Sequence, residues 1–171
     1  MVFIGLGSNL GNSRATMQAA RKTLQELPGY QELACSGCWQ SAPLGVENPQ
    51  PDYYNAVIKA EYKHKPQKLL KHLLEVEQAY GRQRLTAKGA RTLDLDLLLF
   101  GNQIINEPDL RVPHPRMGQR AFVLLPLLQV ADNNMVIPGQ HTSIAQLCKK
   151  LQAMEQQRIK EVTWATSGAY S

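Results

Sequence analysis

Long apolar segments and aromatic residues are both scarce in this chain. No apolar run among its 171 residues reaches the roughly 18 residues that a membrane-spanning helix needs. The first residues lack the basic start and small-residue cleavage site of a signal peptide, so we expect a cytoplasmic protein that begins within its own fold. Hydrophobic residues make up 43% and charged residues 19%, a balance that excludes long disorder and collagen-like repeats. A chain of this length is expected to form one domain.

Cysteine is rare as well, with only Cys35, Cys38 and Cys148. The C-x-x-C spacing of the first two residues raises the possibility of a redox or zinc pair. The surrounding segment, residues 33–40, is predicted to be a single strand, however, and a spacing of three on a strand points the two thiols to opposite faces. No second C-x-x-C and no paired histidine follows to complete a zinc site. We therefore expect these cysteines to pack as small, buried hydrophobic residues.

Positive charge is in excess, since Lys and Arg outnumber Asp and Glu by 19 to 14, for a net charge of +5. This excess indicates an anionic partner. Arg82, Arg84, Lys88 and Arg91 fall close together in a stretch that contains no acidic residue. That stretch also has no aromatic residue, whereas a nucleic-acid surface usually interleaves aromatics with its basic side chains. A small polyphosphate therefore fits better than a nucleic acid.

Hydrophobic periodicity predicts an α+β protein. Up to Phe100 the order is strand, helix, strand, strand, helix, strand, which is the ferredoxin-like split β-α-β sandwich, an antiparallel-rich sheet with helices on its faces. Within the strand over 54–62, Asn55 alternates away from a small apolar face. The core is expected to span about 1–131, with 132–171 as a peripheral extension of hairpin and helix additions. Its last helix is predicted to start near Ser143.

Two aspartates form the sharpest chemical feature. Asp94 and Asp96 are two residues apart on a predicted strand, so their carboxylates share one face and point away from the neighbouring leucines. At roughly 7 Å, two such charges repel by about 2 kcal/mol at an effective dielectric near 20, and a divalent cation would relieve the repulsion. Oxygen ligands favour Mg²⁺, which takes its remaining contacts from water and substrate phosphates. The alternative is the solvated polar face of an amphipathic strand.

The other candidate motifs are more ambiguous. Taken alone, Arg82, Arg84 and Arg91 favour a solvated loop. Their position next to the two aspartates is what favours a phosphate clamp. The glycine-rich stretch Gly5–Asn12 lacks the Gly-Lys-Ser/Thr ending of a phosphate loop and is interpreted as a tight turn. His114 is held between two prolines, but no G-x-S-x-G elbow exists to supply a nucleophile. Serine-hydrolase chemistry therefore has no support.

Six short motifs nevertheless occur in collinear order between residue 2 and about residue 130. They are Gly7-Ser8-Asn9; Pro43-Leu44-Gly45; Asp52-Tyr53-Tyr54-Asn55-Ala56; Glu77 with Gly81-Arg82-x-Arg84; Ala90-Arg91-Thr92-Leu93-Asp94-Leu95-Asp96; and Pro113-His114-Pro115-Arg116 with Arg120-x-Phe122. Together they resemble the 6-hydroxymethyl-7,8-dihydropterin pyrophosphokinase family. The resemblance implies a ferredoxin-like core and transfer of a pyrophosphoryl group from ATP to a reduced pterin in folate biosynthesis, with release of AMP.

The resemblance also implies a role for each matching position. Two Mg²⁺ ions would be bound by Asp94 and Asp96. The catalytic residues would be Arg82, Arg91, Asp94 and Asp96. The ATP-binding residues would be Glu77, Arg84, Arg91, Leu97, Arg111, His114 and Arg120. The pterin-binding residues would be Ser41, Ala42, Leu44, Tyr53, Asn55 and Phe122.

The chain departs from the family pattern at two places. Lys88-Gly89-Ala90 stands where family members often have Trp-Gly-Pro, and Arg111 stands where a small hydroxyl residue is common.

Two other hypotheses compete with a pyrophosphokinase. One is a ferredoxin-like RNA-binding module, which should carry an RNP1-like aromatic string that is missing here. The other is a nucleotidyltransferase that uses the same aspartates. We expect a monomer whose partners are ATP and a reduced pterin, without nucleic-acid or membrane partners.

Overall fold

The computed structural model describes residues 1–43, 45, 49–81, 91–154 and 158–164. The strands are β1 (Val2–Ser8), β2 (Tyr30–Cys35), β3 (Cys38–Ser41), β4 (Tyr53–Tyr62), β5 (Asp94–Phe100), β6 (Ile105–Asn106), β7 (Arg111–Val112) and β8 (Ile159–Val162). The helices are α1 (Ser13–Gln25), α2 (Pro66–Ala79), α3 (Ala121–Val130) and α4 (Ile144–Met154), with a short 3-10 turn at Met117–Gln119.

The predicted helix boundaries follow from local chemistry. Asn12 caps α1, its side chain accepting a hydrogen bond from the backbone N–H of Ala15, as short polar residues commonly do before a helix. Pro66 is the first residue of α2, where a missing N–H costs nothing. Gly81 follows α2 with a φ of +77°, a conformation that glycine adopts without a steric penalty.

A six-stranded sheet forms the centre of the molecule. Its order is β5-β1-β4-β3-β8, and β2 also pairs with β4. All these pairs are antiparallel, which confirms an antiparallel α+β architecture. The single strand predicted over 33–40 is wrong, because Ser36 interrupts it. The backbone N–H of Ser36 donates to the Val57 carbonyl, and its hydroxyl accepts from the Val57 N–H.

Helices cover both faces of the sheet. The first face packs on α1 and α2, and its core includes Ile4, Met17, Leu24, Ile58, Leu69, Leu73, Leu95 and Leu97. The second face packs on α3 and α4, and its core includes Phe3, Val57, Leu98, Leu99, Leu124, Leu127, Ile144 and Cys148. The apolar stretch that follows Arg120 is the helix α3, and the final helix begins where the periodicity predicts it.

The C-terminal segment adds an unpredicted strand to the sheet. Strand β8 pairs with β3, so residues 159–162 extend the main sheet rather than lying apart from it. All three cysteines are free. Burial raises the pKa of Cys35 to about 11, that of Cys38 to about 12 and that of Cys148 to about 11, which suits packing roles. Within the described ranges, no helix combines the length and apolar character needed to cross a bilayer.

Candidate active site

Two glycines of β1 lie on the second face of the sheet. Gly7 is paired on one side with Asn55 of β4 and on the other with Asp94 of β5, while Gly5 is paired with Asp96. A Cβ on Gly7 would lie 3.5 Å from Asn55 Oδ1 and 3.9 Å from Asp94 Cβ, so the amide and the carboxylate share this face. Because Gly7 has no side chain, the backbone of β1 lies between Asn55 and Asp94 without a side chain above it. This stretch of β1 around Gly7 is called the floor of the site.

The two aspartates lie on one side of this floor, as their spacing predicts. Both are half-buried, whereas the intervening Leu95 is 3% exposed and lies in the core of the opposite face. The Arg91 guanidinium contacts Asp94 Oδ2 through Nη1 at 2.7 Å. The described ranges contain no cluster of three or more His, Cys, Asp or Glu side chains suited to a metal. Two carboxylates on one face could hold a cation that takes other ligands from substrate and water, as Mg²⁺ does.

Glu77 supports the aspartates from the α2 side. It is 1% exposed, and its Oε1 accepts a 2.7 Å hydrogen bond from the backbone N–H of Leu95. Leu95 lies between the two aspartates on an edge strand, so this bond fixes the backbone that carries both of them. Leu97 likewise packs its side chain into the first-face core. Glu77 and Leu97 are both expected ATP-binding residues, but their side chains do not lie on the face that carries the aspartates.

Basic side chains border the aspartates on the α3 side. The backbone N–H of His114 donates to the Leu98 carbonyl at 2.9 Å, and its ring Nδ1 accepts from the Arg116 N–H at 3.2 Å. Burial, reinforced by the charges of Arg120 and Arg116, lowers the pKa of His114 and so favours the neutral ring. The pKa of Arg120 is lowered by burial and by Arg116 and raised by the aspartates, but a guanidinium stays charged.

A neutral, buried pair lies on the other side of the floor. Asn55 is 7% exposed and Ser41 is 2% exposed, and Asn55 Nδ2 donates a 3.0 Å hydrogen bond to Ser41 Oγ. Tyr53 pairs with Ser41 across the two strands. Burial raises the pKa of Tyr53, while Arg91 lowers it and Asp94 raises it. Tyr53, which pairs with Ser41 on the neutral side, is therefore also close enough to Arg91 and Asp94 to be influenced by their charges.

Three further predicted residues lie on, or directly after, elements next to those described above. Ala42 follows β3 directly, and Phe122 is in the first turn of α3, where the guanidinium carbon of Arg120 is 5.6 Å from its ring centroid. Arg111 lies on β7 with an exposed side chain. The predicted residues Leu44, Arg82 and Arg84, together with Lys88 of the basic stretch, lie outside the described residues.

Asn9 joins the two halves, a role that the sequence analysis missed. It is 3% exposed, and its Oδ1 accepts from the Arg91 N–H at 2.8 Å while its own N–H donates to the Arg91 carbonyl at 3.0 Å. Its Nδ2 donates to Gln50 Oε1 and to the Pro51 carbonyl. The sequence did contain a sign of this role. Asn9 directly follows a buried strand, and its amide side chain has donors and acceptors that need hydrogen-bond partners.

Comparison with known proteins is consistent with this arrangement. The family model for 7,8-dihydro-6-hydroxymethylpterin-pyrophosphokinase (HPPK) matches residues 3–132. The 2-amino-4-hydroxy-6-hydroxymethyldihydropteridine pyrophosphokinase of Haemophilus influenzae is 42% identical over 148 residues, which cover 86% of this chain and 91% of that protein. The enzyme of the same name from Pseudomonas aeruginosa is 41% identical over 140 residues, or 82% of this chain and 86% of that protein.

Among solved structures, the fold is similar to that of Plasmodium falciparum HPPK-DHPS with pteroate, at a TM-score of 0.68 and 12% identity. The match covers 87% of this chain and 42% of that longer chain, and at this identity it shows the fold alone. The family model and the close relatives carry the assignment. The chain belongs to the 7,8-dihydro-6-hydroxymethylpterin-pyrophosphokinase family.

Proposed function

We propose that the face around Gly7 is the active site, with the triphosphate over the aspartates and the pterin against Asn55. The chain transfers a pyrophosphoryl group from ATP to 6-hydroxymethyl-7,8-dihydropterin in folate biosynthesis. The observation that carries the site proposal is the shared face: Asp94 and Asn55 flank one strand glycine in direct register. This places a charged half and a neutral half side by side, as a reaction between a triphosphate and a pterin requires.

On the charged half, Asp94 and Asp96 would hold Mg²⁺, and we propose two ions. When bound, the metal would neutralise charge on the phosphate oxygens. Arg91, His114 and Arg120 border the same place, and guanidinium groups match phosphate geometry through paired hydrogen bonds. The proposed ATP-binding set is completed by Glu77, Arg84, Leu97 and Arg111, and the proposed catalytic set by Arg82. For Leu97 the proposal concerns its backbone, since its side chain is buried on the other face.

On the neutral half, Asn55 would recognise the pterin edge. A primary amide presents both donor and acceptor atoms in one plane, and the buried contact with Ser41 Oγ holds the side chain in place. Tyr53 and Phe122 would hold the flat ring by aromatic contact. Ser41, Ala42 and Leu44 complete the proposed pterin set. The half-burial of Tyr53 and Phe122 supports this role, because each ring keeps an accessible surface.

The chain's own residues would then act by positioning and by charge. The hydroxymethyl oxygen of the pterin attacks the β-phosphorus in line, the new O–P bond forms, and the bond to the bridging oxygen of AMP breaks as the hydroxyl proton is released. Such a transfer depends mainly on alignment and on neutralisation of charge. Arg91 and Arg120 supply fixed positive charge beside the reacting phosphates, and Asn55 holds the acceptor hydroxyl in reach.

Phosphorus NMR of a reaction with ATP, Mg²⁺ and 6-hydroxymethyl-7,8-dihydropterin tests this proposal. We expect AMP and a pterin diphosphate, with no free pyrophosphate. Free pyrophosphate together with an adenylated product would support the nucleotidyltransferase hypothesis instead. Absence of turnover combined with tight RNA binding would support the RNA-binding module.

We further propose that the catalytic core, about 1–131, is ferredoxin-like, that residues 132–171 are peripheral to it within one domain, and that the protein is a cytoplasmic monomer. The order β5-β1-β4-β2, with α1 and α2 on one face, supports the fold description. Light scattering coupled to size-exclusion chromatography tests the oligomeric state, and a dimeric mass would contradict the proposal.

A further inference from the structure

One residue near the C-terminus holds both ends of the loop between β3 and β4, residues 42–52. At the start of this loop, the backbone N–H of Ala42 donates to the carbonyl of Arg158 at 3.1 Å. At its end, the Arg158 Nη2 donates to both carboxylate oxygens of Asp52, at 3.1 and 2.8 Å. Arg158 therefore bridges the loop, using its backbone at one end and its guanidinium at the other.

The strand β8 places Arg158 there. Residues 159–162 pair with β3 in a register that sets Ile159 opposite Ser41. Beyond the strand, the Arg14 Nη1 donates to the Thr163 carbonyl at 2.9 Å, and the Trp164 indole N–H donates to the Ser36 carbonyl at 3.3 Å. The C-terminal segment is thus attached to the body of the protein at several points, and the position of Arg158 is set by the sheet.

The bridged loop borders the neutral half of the site. The Gln40 side chain donates to Asp52 Oδ2 at 2.8 Å, so the carboxylate is held by groups from β3 and from the C-terminal segment. Ser41 and Tyr53 lie immediately next to these contacts along the chain, and Ser41 is the hydrogen-bond partner of Asn55. The β3–β4 pairing sets the spacing of Ser41 and Tyr53, and the bridge holds the ends of the loop that connects these two residues.

We infer that Arg158 is a positioning residue for pterin binding, acting through Asp52 on the loop 42–52. This inference rests on the proposed function, since it needs the pterin to bind beside Ser41, Tyr53 and Asn55. The Arg158 side chain is 70% exposed and that of Asp52 is 21% exposed, so the pair adds little to the stability of the fold. Its effect falls instead on the alignment of the pterin-binding residues, where small displacements matter.

The test compares Arg158→Ala with the wild type by calorimetry, titrating 6-hydroxymethyl-7,8-dihydropterin in the presence of Mg²⁺ and a non-hydrolysable ATP analogue. The substitution removes the guanidinium but keeps the carbonyl contact with Ala42. We expect the pterin Kd to rise about fivefold, equivalent to about 1 kcal/mol, and the analogue Kd to stay within twofold. Arg158→Lys should recover part of the loss, because a lysine keeps the charge without the paired geometry.

Lys160→Ala is the matched control. Lys160 lies on β8, two residues after Arg158, and its side chain is exposed. No contact of this side chain with the loop is found in the described part of the chain, so pterin affinity should stay within twofold of wild type. In an Asp52→Asn background, adding Arg158→Ala should change the pterin Kd by less than twofold, since the partner carboxylate is already absent. Thermal unfolding confirms that each variant is folded.

An unchanged pterin Kd in Arg158→Ala, or an equal loss in Lys160→Ala, would overturn the inference. So would equal weakening of pterin and nucleotide analogue. These outcomes leave the proposed function intact provided that the wild type forms AMP and Asn55→Ala weakens pterin binding. If the wild type forms no AMP, the proposed function itself fails, which distinguishes the two results.

Discussion

The two halves of the site are built in different ways. The centre of the charged half is local: Asp94 and Asp96 share one strand, and Arg91, three residues from Asp94, contacts it directly. The bordering His114 and Arg120 come from a later segment. The neutral half is assembled from distant segments, with Ser41 and Asn55 separated by 14 residues and Asp52 and Arg158 by 106 residues. Side chains of the first half remain partly exposed, whereas Asn55 and Ser41 are buried.

This difference predicts where substitutions should act. Removing a half-exposed carboxylate leaves few buried polar groups without a hydrogen-bond partner, so the substitution should lower turnover more than stability. Removing a buried amide leaves a hydrogen-bond partner without a companion, which costs stability as well as binding. The contrast can be tested by measuring turnover, affinity and unfolding for the same set of variants.

The largest effect is expected for Asp94→Ala and Asp96→Ala. Each should lower kcat at least 100-fold, or about 2.7 kcal/mol of activation free energy, because charge on the triphosphate would no longer be neutralised at that position. Steady-state kinetics measures this, and Asp109→Ala, which removes an exposed acid from the loop between β6 and β7, is the control. Near-normal turnover in both aspartate variants would remove the metal assignment.

Asn55→Ala should act on pterin affinity. Loss of a buried amide should raise the pterin Kd by about 10- to 30-fold, or roughly 1.4–2 kcal/mol, and leave the Kd of an ATP analogue within twofold. Calorimetry with each ligand measures both values, with the exposed Asn102 replaced by Ala as control. A larger loss of nucleotide affinity than of pterin affinity would assign Asn55 to nucleotide binding instead.

Asn9→Ala should affect both halves of the site. Asn9 bonds to Arg91 on the charged side and to Gln50 and Pro51 on the neutral side. Its loss should lower the free energy of unfolding by about 1–2 kcal/mol and weaken both substrates by a similar, smaller factor. Chemical denaturation and calorimetry measure these quantities. Weakening of only one substrate would show that Asn9 does not couple the halves.

The smallest effect concerns pH. The pKa of His114 is lowered in the folded protein by burial and by Arg120 and Arg116, so the unfolded chain binds more protons below about pH 6.5. Stability should therefore fall as the pH drops through that region, and His114→Gln should flatten the dependence. Denaturation between pH 7.5 and 5.5 measures it, with the exposed His141→Gln as control. An unchanged pH slope in His114→Gln would contradict this assignment.

The sheet face on which Asp94, Asp96 and Asn55 lie could be predicted from the sequence because a single rule sufficed. Side chains alternate along a strand, so the spacing of Asp94 and Asp96 and the alternation around Asn55 each predict a face correctly. The same rule says nothing about which strands are neighbours, and therefore nothing about the glycine floor between them. The family resemblance supplied the residue set, and the structure supplied the register that brings Asn55, Gly7 and Asp94 into line.

The C-terminal contribution could not be predicted for a related reason. Strand β8 is a short segment without clean alternation, and its partner β3 is more than 100 residues away in the chain. Pairing of that kind depends on the shape of the finished sheet edge rather than on local preference. The Asp52–Arg158 bridge likewise has no signature in spacing. Ser36 similarly divides the predicted second strand through bonds to Val57 of another strand.

The most direct measurement is a crystal structure with Mg²⁺ and a non-hydrolysable ATP analogue. The account predicts metal density between the triphosphate and the carboxylates of Asp94 and Asp96, with metal–oxygen distances of about 2.1 Å. It would be contradicted by a nucleotide complex in which both carboxylates face bulk solvent and the metal is bound elsewhere.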